Sequence, residues 1–211
     1  MQRMYDDQGA LYIPPGQGKI RFGKTETLHI LVGIAVLIFA FYMSFAHGND
    51  LTFDESLYYF AAATIAVVTG FLLHELAHKF LAQRYGAWAE FRVFPLGLMF
   101  ALFFALLSGI VFAAPGAVYI QGRITKEQNG MISLAGPGLN LAFGLACITL
   151  LFVLPLQIIF IVGWINLFLA AFNLIPFGPF DGAKVFRWNA GIYVLVMGAA
   201  IASLVGTWYL L

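Results

Sequence analysis

Six stretches of this 211-residue chain run for 17 to 24 residues without one Asp, Glu, Lys or Arg: 28–46, 57–73, 94–114, 131–154, 156–176 and 191–211. A helix of about 20 apolar residues crosses the roughly 30 Å hydrocarbon core of a bilayer. Lipid offers no partners for backbone N–H and C=O groups, so such runs become helices that close their own hydrogen bonds. Composition agrees. Hydrophobic residues make up 62% and charged residues 10%, against about a quarter charged in soluble domains. The chain could not keep a hydrated surface, which excludes a soluble enzyme, a nucleic-acid binder and a disordered protein. Net charge is +1, which fits no polyanionic partner, and the lone Cys147 excludes an internal disulfide framework. The fold class expected is an all-α polytopic membrane protein with five or six membrane helices. They fall at about 28–46, 57–83, 131–154, 156–176 and 191–211, with 94–114 either spanning or re-entrant. Residues 1–27, which include Asp6, Asp7 and Pro14-Pro15-Gly16, are expected to form a cytoplasmic N-terminal segment. No apolar core of a signal peptide follows Met1 directly, so cleavage there is not expected.

Orientation is set by lysine and arginine, which favour the cytoplasmic side. Arg3, Lys19, Arg21 and Lys24 precede the first run, and Lys79, Arg84 and Arg92 follow the second. Arg123 and Lys126 follow the third, and Lys184 and Arg187 precede the last. Six crossings put seven of these inside and four outside; a re-entrant 94–114 puts all eleven inside. The second count fits better, although length alone admits an ordinary span equally well. Pro95, Gly97, Ser108-Gly109 and Pro115-Gly116 give the segment places to turn. The flanks 90–94 and 117–124 alternate weakly and are expected to form a short β-hairpin.

Chemistry concentrates in the second run, which reads His74-Glu75-Leu-Ala-His78-Lys79. Histidines four apart share one face of a helix and can hold one Zn²⁺, while the Glu reaches a water rather than the metal. His74 lies ~25 Å of helix rise beyond Leu57, inside the membrane but near its cytoplasmic boundary. Ionisable groups at that depth are costly and mark function. Lys79 and Arg84 are read as snorkelling to the interface. Two histidines leave zinc short of its usual three protein ligands. His29 and His47 sit at opposite ends of the first run and are read as interfacial. Asp181 is the one acidic residue after Glu127, in a stretch broken by Pro176, Gly178 and Pro179. It can serve as a ligand or cap the following helix. It reaches the side of His74 only if an even number of crossings separates them, which again requires a re-entrant 94–114.

His74-Glu75-Leu-Ala-His78, then Gly136-Pro137-Gly-Leu-Asn140, then Asn173-Leu-Ile-Pro176 and Phe180-Asp181-Gly182 resemble the site-2 protease family of intramembrane zinc metalloproteases. The resemblance covers about 57–187. It implies that His74, His78 and Asp181 bind one Zn²⁺ and that Glu75 is the general base. It implies that Asn173 contacts the substrate or the developing oxyanion. Asn140 is read as a helix-packing residue, with Gly136 and Gly138 allowing close approach. Residues 28–211 would then be a single membrane-embedded metalloprotease domain. Two features depart from the family: no PDZ or CBS regulatory domain occurs within these residues, and 94–114 is an apolar insertion, read as a lid or gate over the catalytic cavity.

The expected activity is hydrolysis of peptide bonds within or near transmembrane segments of membrane proteins. Its partners are a transmembrane substrate and the lipid bilayer, with no nucleic acid. The expected location is the cell membrane, multi-pass, with the active site near the cytoplasmic side. The rival reading is a zinc-binding membrane protein without proteolysis, either a metal transporter or a pseudo-protease. A transporter should carry ligands along several spans, and here polar residues gather in the three motifs.

Overall fold

Helix α1 (Lys24–Ala46) starts where the Gly23 amide donates to Glu26 Oε2 at 3.3 Å. Helix α2 (Phe53–Val67) starts at a reciprocal cap between Thr52 and Glu55. A π-helical turn (Val68–Leu72) joins it to α3 (Leu73–Arg84), making one 32-residue helix. Helix α5 (Lys126–Leu151) opens on the same kind of cap, from Thr125 and Gln128. Such Ser/Thr-x-x-Glu/Gln boxes satisfy the orphan amides of a first turn. They explain why these helices begin before the charge-free runs that predicted them. Helices α6 (Gln157–Asn173), α7 (Asp181–Trp188) and α8 (Ala190–Leu210) complete the helical frame. The structure is a computed structural model that describes residues 20–111 and 114–210. Most of the segment 1–27, with Arg3, Asp6, Asp7, Pro14 and Lys19, therefore lies outside the described residues.

The protein is mostly helical, and among the described residues four helices are long and apolar enough to cross a membrane: Lys24–Ala46, Phe53–Arg84, Lys126–Leu151 and Ala190–Thr207. Helix α6 matches the fifth expected segment but has 17 residues, ~25 Å of rise. Among the described residues of the run 94–114, the one helix is the 14-residue α4 (Pro95–Ser108). It is flanked by β1 (Trp88–Val93) and β2 (Gly116–Gln121), which pair antiparallel with Val93 opposite Gly116. The chain therefore leaves this hairpin and comes back to the same point, closed by a 2.9 Å bond from Phe94 N to Pro115 O. Gly109 ends α4 in the left-handed region (φ 68°), and its carbonyl accepts from Ser44 Oγ at 2.5 Å.

Among the described residues nothing supports the expected lid. Helix α4 packs on α1, burying Leu98, Ala101 and Ala105 against Leu37 and Ala40. Its opposite face, with Met99, Phe103, Leu106 and Leu107, is exposed and apolar.

Helix α5 is central and touches α3, α6, α7 and α8. Gly144 faces Leu167, Gly163 faces Cys147 and Gly130 faces the Trp188 ring, so small residues bring the backbones close. Two buried amides add polar contacts: Asn166 Nδ2 donates to Thr69 Oγ1 (2.9 Å), and Asn140 Nδ2 donates to the Gly70 carbonyl (3.0 Å).

Candidate metal centre

The His-Glu-x-x-His segment begins one residue after the π-helical turn. There Leu73 N bonds back to Val68 O, five residues away instead of four. Single π turns carry an extra residue and occur at functional sites. The extra residue rotates all that follows, so this turn decides which face of α3 the histidines occupy. Side chains from α5 and α6 hold it, through Asn140 on Gly70 O and Asn166 on Thr69. The packing role expected for Asn140 thus has a definite form, a side-chain donor to an irregular carbonyl.

His74 and His78 are both buried, with Nε2 atoms 3.0 Å apart. Asp181 Oδ2 lies 3.0 Å from His78 Nε2 and 3.6 Å from His74 Nε2. Asp181 is the first residue of α7, whose cap is Phe180 with no side-chain cap bond. Its carboxylate is therefore directed to the histidines and does not cap. Gly182 makes this approach possible, since a Cβ there would run into the backbone of Leu174. Burial would raise the Asp181 carboxyl, but His78, hydrogen bonds from both imidazoles and the Lys184 ammonium hold it well below the usual carboxylate range.

These three donors fit zinc. Ligands at about 2.0–2.1 Å in a tetrahedron stand ~3.4 Å apart, and the observed spacings of 3.0 to 3.6 Å bracket that value. His78 Nδ1 lies 2.7 Å from Ile132 O. A proton donated to that carbonyl leaves Nε2 as a lone-pair donor, the arrangement that outer-shell partners impose on metal-bound imidazole. Lys184 Nζ, 3.2 Å from Asp181 Oδ1, orients the carboxylate in the same way. On α5, Gly136 faces the pair, and a Cβ there would overlap both Nε2 atoms. Gly138, expected to serve close approach too, has nothing within 4 Å of its Cβ position.

Glu75 is half-buried, and its carboxylate lies beside the backbone amide of Val118 in β2. Asn173 is on the last residue of α6, and its Nδ2 donates to Leu169 O of its own helix at 3.0 Å. Arg84 and His47 are exposed, as expected for interfacial residues, whereas His29 is half-buried and its Nδ1 accepts from Val93 N at 3.4 Å. Lys79 does not snorkel. It is fully buried, 2.7 Å from Glu26 Oε1, because the sheet and α1 close over that face of α3. One sequence signal pointed there: Glu26 stands two residues before a charge-free run, where an acid needs a partner.

The chain is similar to a protein of Methanocaldococcus jannaschii named as a candidate zinc metalloprotease, with 41% identity over 182 residues, 83% of this chain and 91% of that protein. It belongs to the site-2 protease family of zinc metalloproteases. A second Methanocaldococcus jannaschii protein, named a zinc metalloprotease, is 26% identical over 134 residues. One from Mycobacterium tuberculosis, named as the candidate zinc metalloprotease Rip3, is 30% identical over 136. The chain spans 34% and 30% of the length of these two. No family model matches the chain, and no solved structure does. Family membership makes this a membrane zinc metalloprotease, and His74, His78 and Asp181 form a group able to hold the metal ion.

Proposed function

We propose that the protein is an intramembrane metalloprotease that cuts peptide bonds within or near transmembrane segments of other membrane proteins. In this reading His74, His78 and Asp181 hold one Zn²⁺ and Glu75 is the general base. The observation that carries it is the convergence of three zinc-type donors, two of them on a 32-residue apolar helix, with the Glu75 carboxylate alongside. Bound there, zinc supplies Lewis acidity toward water and the peptide carbonyl. The chain does the rest. Glu75 accepts a proton from the attacking water and delivers it to the leaving amine nitrogen. The Val118 amide beside it limits how that carboxylate can swing. Asn173 contributes to the oxyanion only by giving up its bond to Leu169, a rotamer change that substrate binding has to supply.

An intact transmembrane helix hides its peptide bonds, so the substrate must be locally unwound. The hairpin can receive such a segment. The outward groups of β1 are taken, Ala89 O by Lys79 and Gln83, Phe91 N by Glu26 and Val93 N by His29. Those of β2 at Val118 and Ile120 face away from β1 next to Glu75, and a strand added there would run past the base.

The reading sets the metal site near the cytoplasmic face of a multi-pass protein of the cell membrane, with 28–211 as one catalytic domain and 1–27 cytoplasmic. The eleven basic residues all fall on one side if 94–114 re-enters, and the Val93–Gly116 pairing supports that path. A reporter fused after Gly116 should accordingly be cytoplasmic; a periplasmic or extracellular signal there would overturn the arrangement. The rival, metal transport, needs ligands along a path, and the described residues hold one such group.

The deciding experiment is metal analysis of wild type and Asp181→Ala beside a cleavage assay on a membrane-spanning peptide. Wild type should hold one zinc per chain, lose cleavage to a chelator and regain it with zinc. Asp181→Ala should bind zinc more weakly by well over the 10–100-fold that loss of an outer-shell partner costs. Undiminished zinc in Asp181→Ala would remove the ligand assignment.

A further inference from the structure

Lys79 follows His78 in sequence, sits about 100° round α3 from it, and is fully buried. Its Nζ lies 2.7 and 2.8 Å from the two oxygens of Glu26 and 2.8 Å from Ala89 O, under the Phe22 ring at 4.7 Å. Glu26, also fully buried, accepts in addition from Phe91 N at 3.0 Å and Gly23 N at 3.3 Å. A buried ion pair is a poor stabiliser, because desolvation offsets its Coulomb attraction. What this pair does is geometric. It joins the first turn of α1, the histidine-bearing helix and the outer edge of β1 at one point.

The consequence reaches the site through the hairpin register. Phe91, held by Glu26, stands directly opposite Val118, and the Val118 amide lies beside Glu75. Glu75 and Lys79 are four residues apart, on adjacent turns of one face of α3. The path from Lys79 to Glu26, Phe91, Val118 and Glu75 is thus a closed ring that returns to the helix where it began. We propose that Glu26 and Lys79 are positioning residues of the hydrolytic site. They set the β1–β2 hairpin at the height on α3 where Val118 meets Glu75, and so fix which substrate bond the base reaches. The proposal rests on the proteolytic reading above.

The test uses the full chain and a membrane-spanning peptide, with zinc content, thermal unfolding, kcat, KM and cut position measured together. Glu26→Leu combined with Lys79→Met removes both charges and leaves neither buried alone. This variant should keep one zinc per chain and lose roughly 10–100-fold in kcat, the scale of a misplacement near 1 Å. Its cuts should spread to neighbouring bonds. Glu26→Gln combined with Lys79→Met, which keeps an acceptor for Phe91 N and also leaves no charge buried alone, should recover most of kcat and the single cut. Wild-type kcat with one cut in the Glu26→Leu/Lys79→Met variant would overturn the positioning role, as would the Glu26→Gln/Lys79→Met variant losing as much. If the Glu26→Leu/Lys79→Met variant does not fold, hydrogen exchange of wild type decides. The Phe91 amide should be as protected as those of α3, and fast exchange there overturns the proposal. A wild type that binds zinc and cuts no peptide overturns the proteolytic reading instead, so the two failures are distinguishable.

Discussion

Glu75→Gln is expected to lower the rate of peptide cleavage by roughly a thousand-fold, within the span that a positioned general base contributes, while zinc stays bound at one per chain. The amide keeps the size of the carboxylate and its contact with Val118, but it cannot take a proton from water. The three donors that face one another are His74, His78 and Asp181, so the metal loses no ligand. His74→Ala is the contrast, since it removes a donor atom 3.0 Å from its partner nitrogen and should lose both zinc and cleavage. Metal analysis and a cleavage assay on the same preparations separate the two variants. Full activity in Glu75→Gln would remove the base from the mechanism.

Gly136→Ala is expected to empty the metal site although residue 136 binds nothing. A Cβ there would overlap Nε2 of both His74 and His78. Helix α5 cannot simply back away, because Asn140 is bonded to Gly70 O, Ile132 O to His78 Nδ1, and Gly144 packs against Leu167. The imidazoles must turn instead, and their nitrogens no longer converge. Zinc content should fall from one per chain toward zero and cleavage with it, while the helical circular dichroism is kept. Gly138→Ala is the internal control, two residues along the same helix with nothing within 4 Å of its Cβ position. It should keep zinc and activity and stabilise α5 by up to ~1 kcal/mol, the helix preference of Ala over Gly. Equal behaviour of the two variants in metal analysis would contradict the close approach of α5 to the histidines.

Local signals in the sequence were read well where local physics decides the outcome. Helix positions followed from the cost of placing a charge or an open backbone group in lipid. The helix starts at Thr52 and Thr125 lie before the expected runs at 57 and 131, because reciprocal caps with Glu55 and Gln128 extend each helix by about a turn. The distribution of eleven basic residues favours a re-entrant 94–114, and the Val93–Gly116 pairing supports the same path. Lys79 was misread, because the acid that neutralises it lies 53 residues away on α1. The π turn was missed, because its stability depends on an amide arriving from α5. The partner of α4 was not legible, since apolar residues in 94–114 match α1 as well as they would match any cavity wall.

The sequence by itself settled that this chain lives in a bilayer, where its helices run and that one helix face offers two imidazoles with a carboxylate alongside. Those properties depend on transfer free energies and on the 3.6-residue turn, both of which act over a few residues. Only the tertiary structure decided that Asp181 faces the histidines instead of capping α7, and that Gly136 but not Gly138 makes room for them. It also decided that Lys79 is buried against Glu26, which accepts from Phe91 N of the hairpin. Each depends on contacts between segments far apart in the chain, whose geometry is fixed by packing and hydrogen bonding among whole helices and carries no signature in residue spacing.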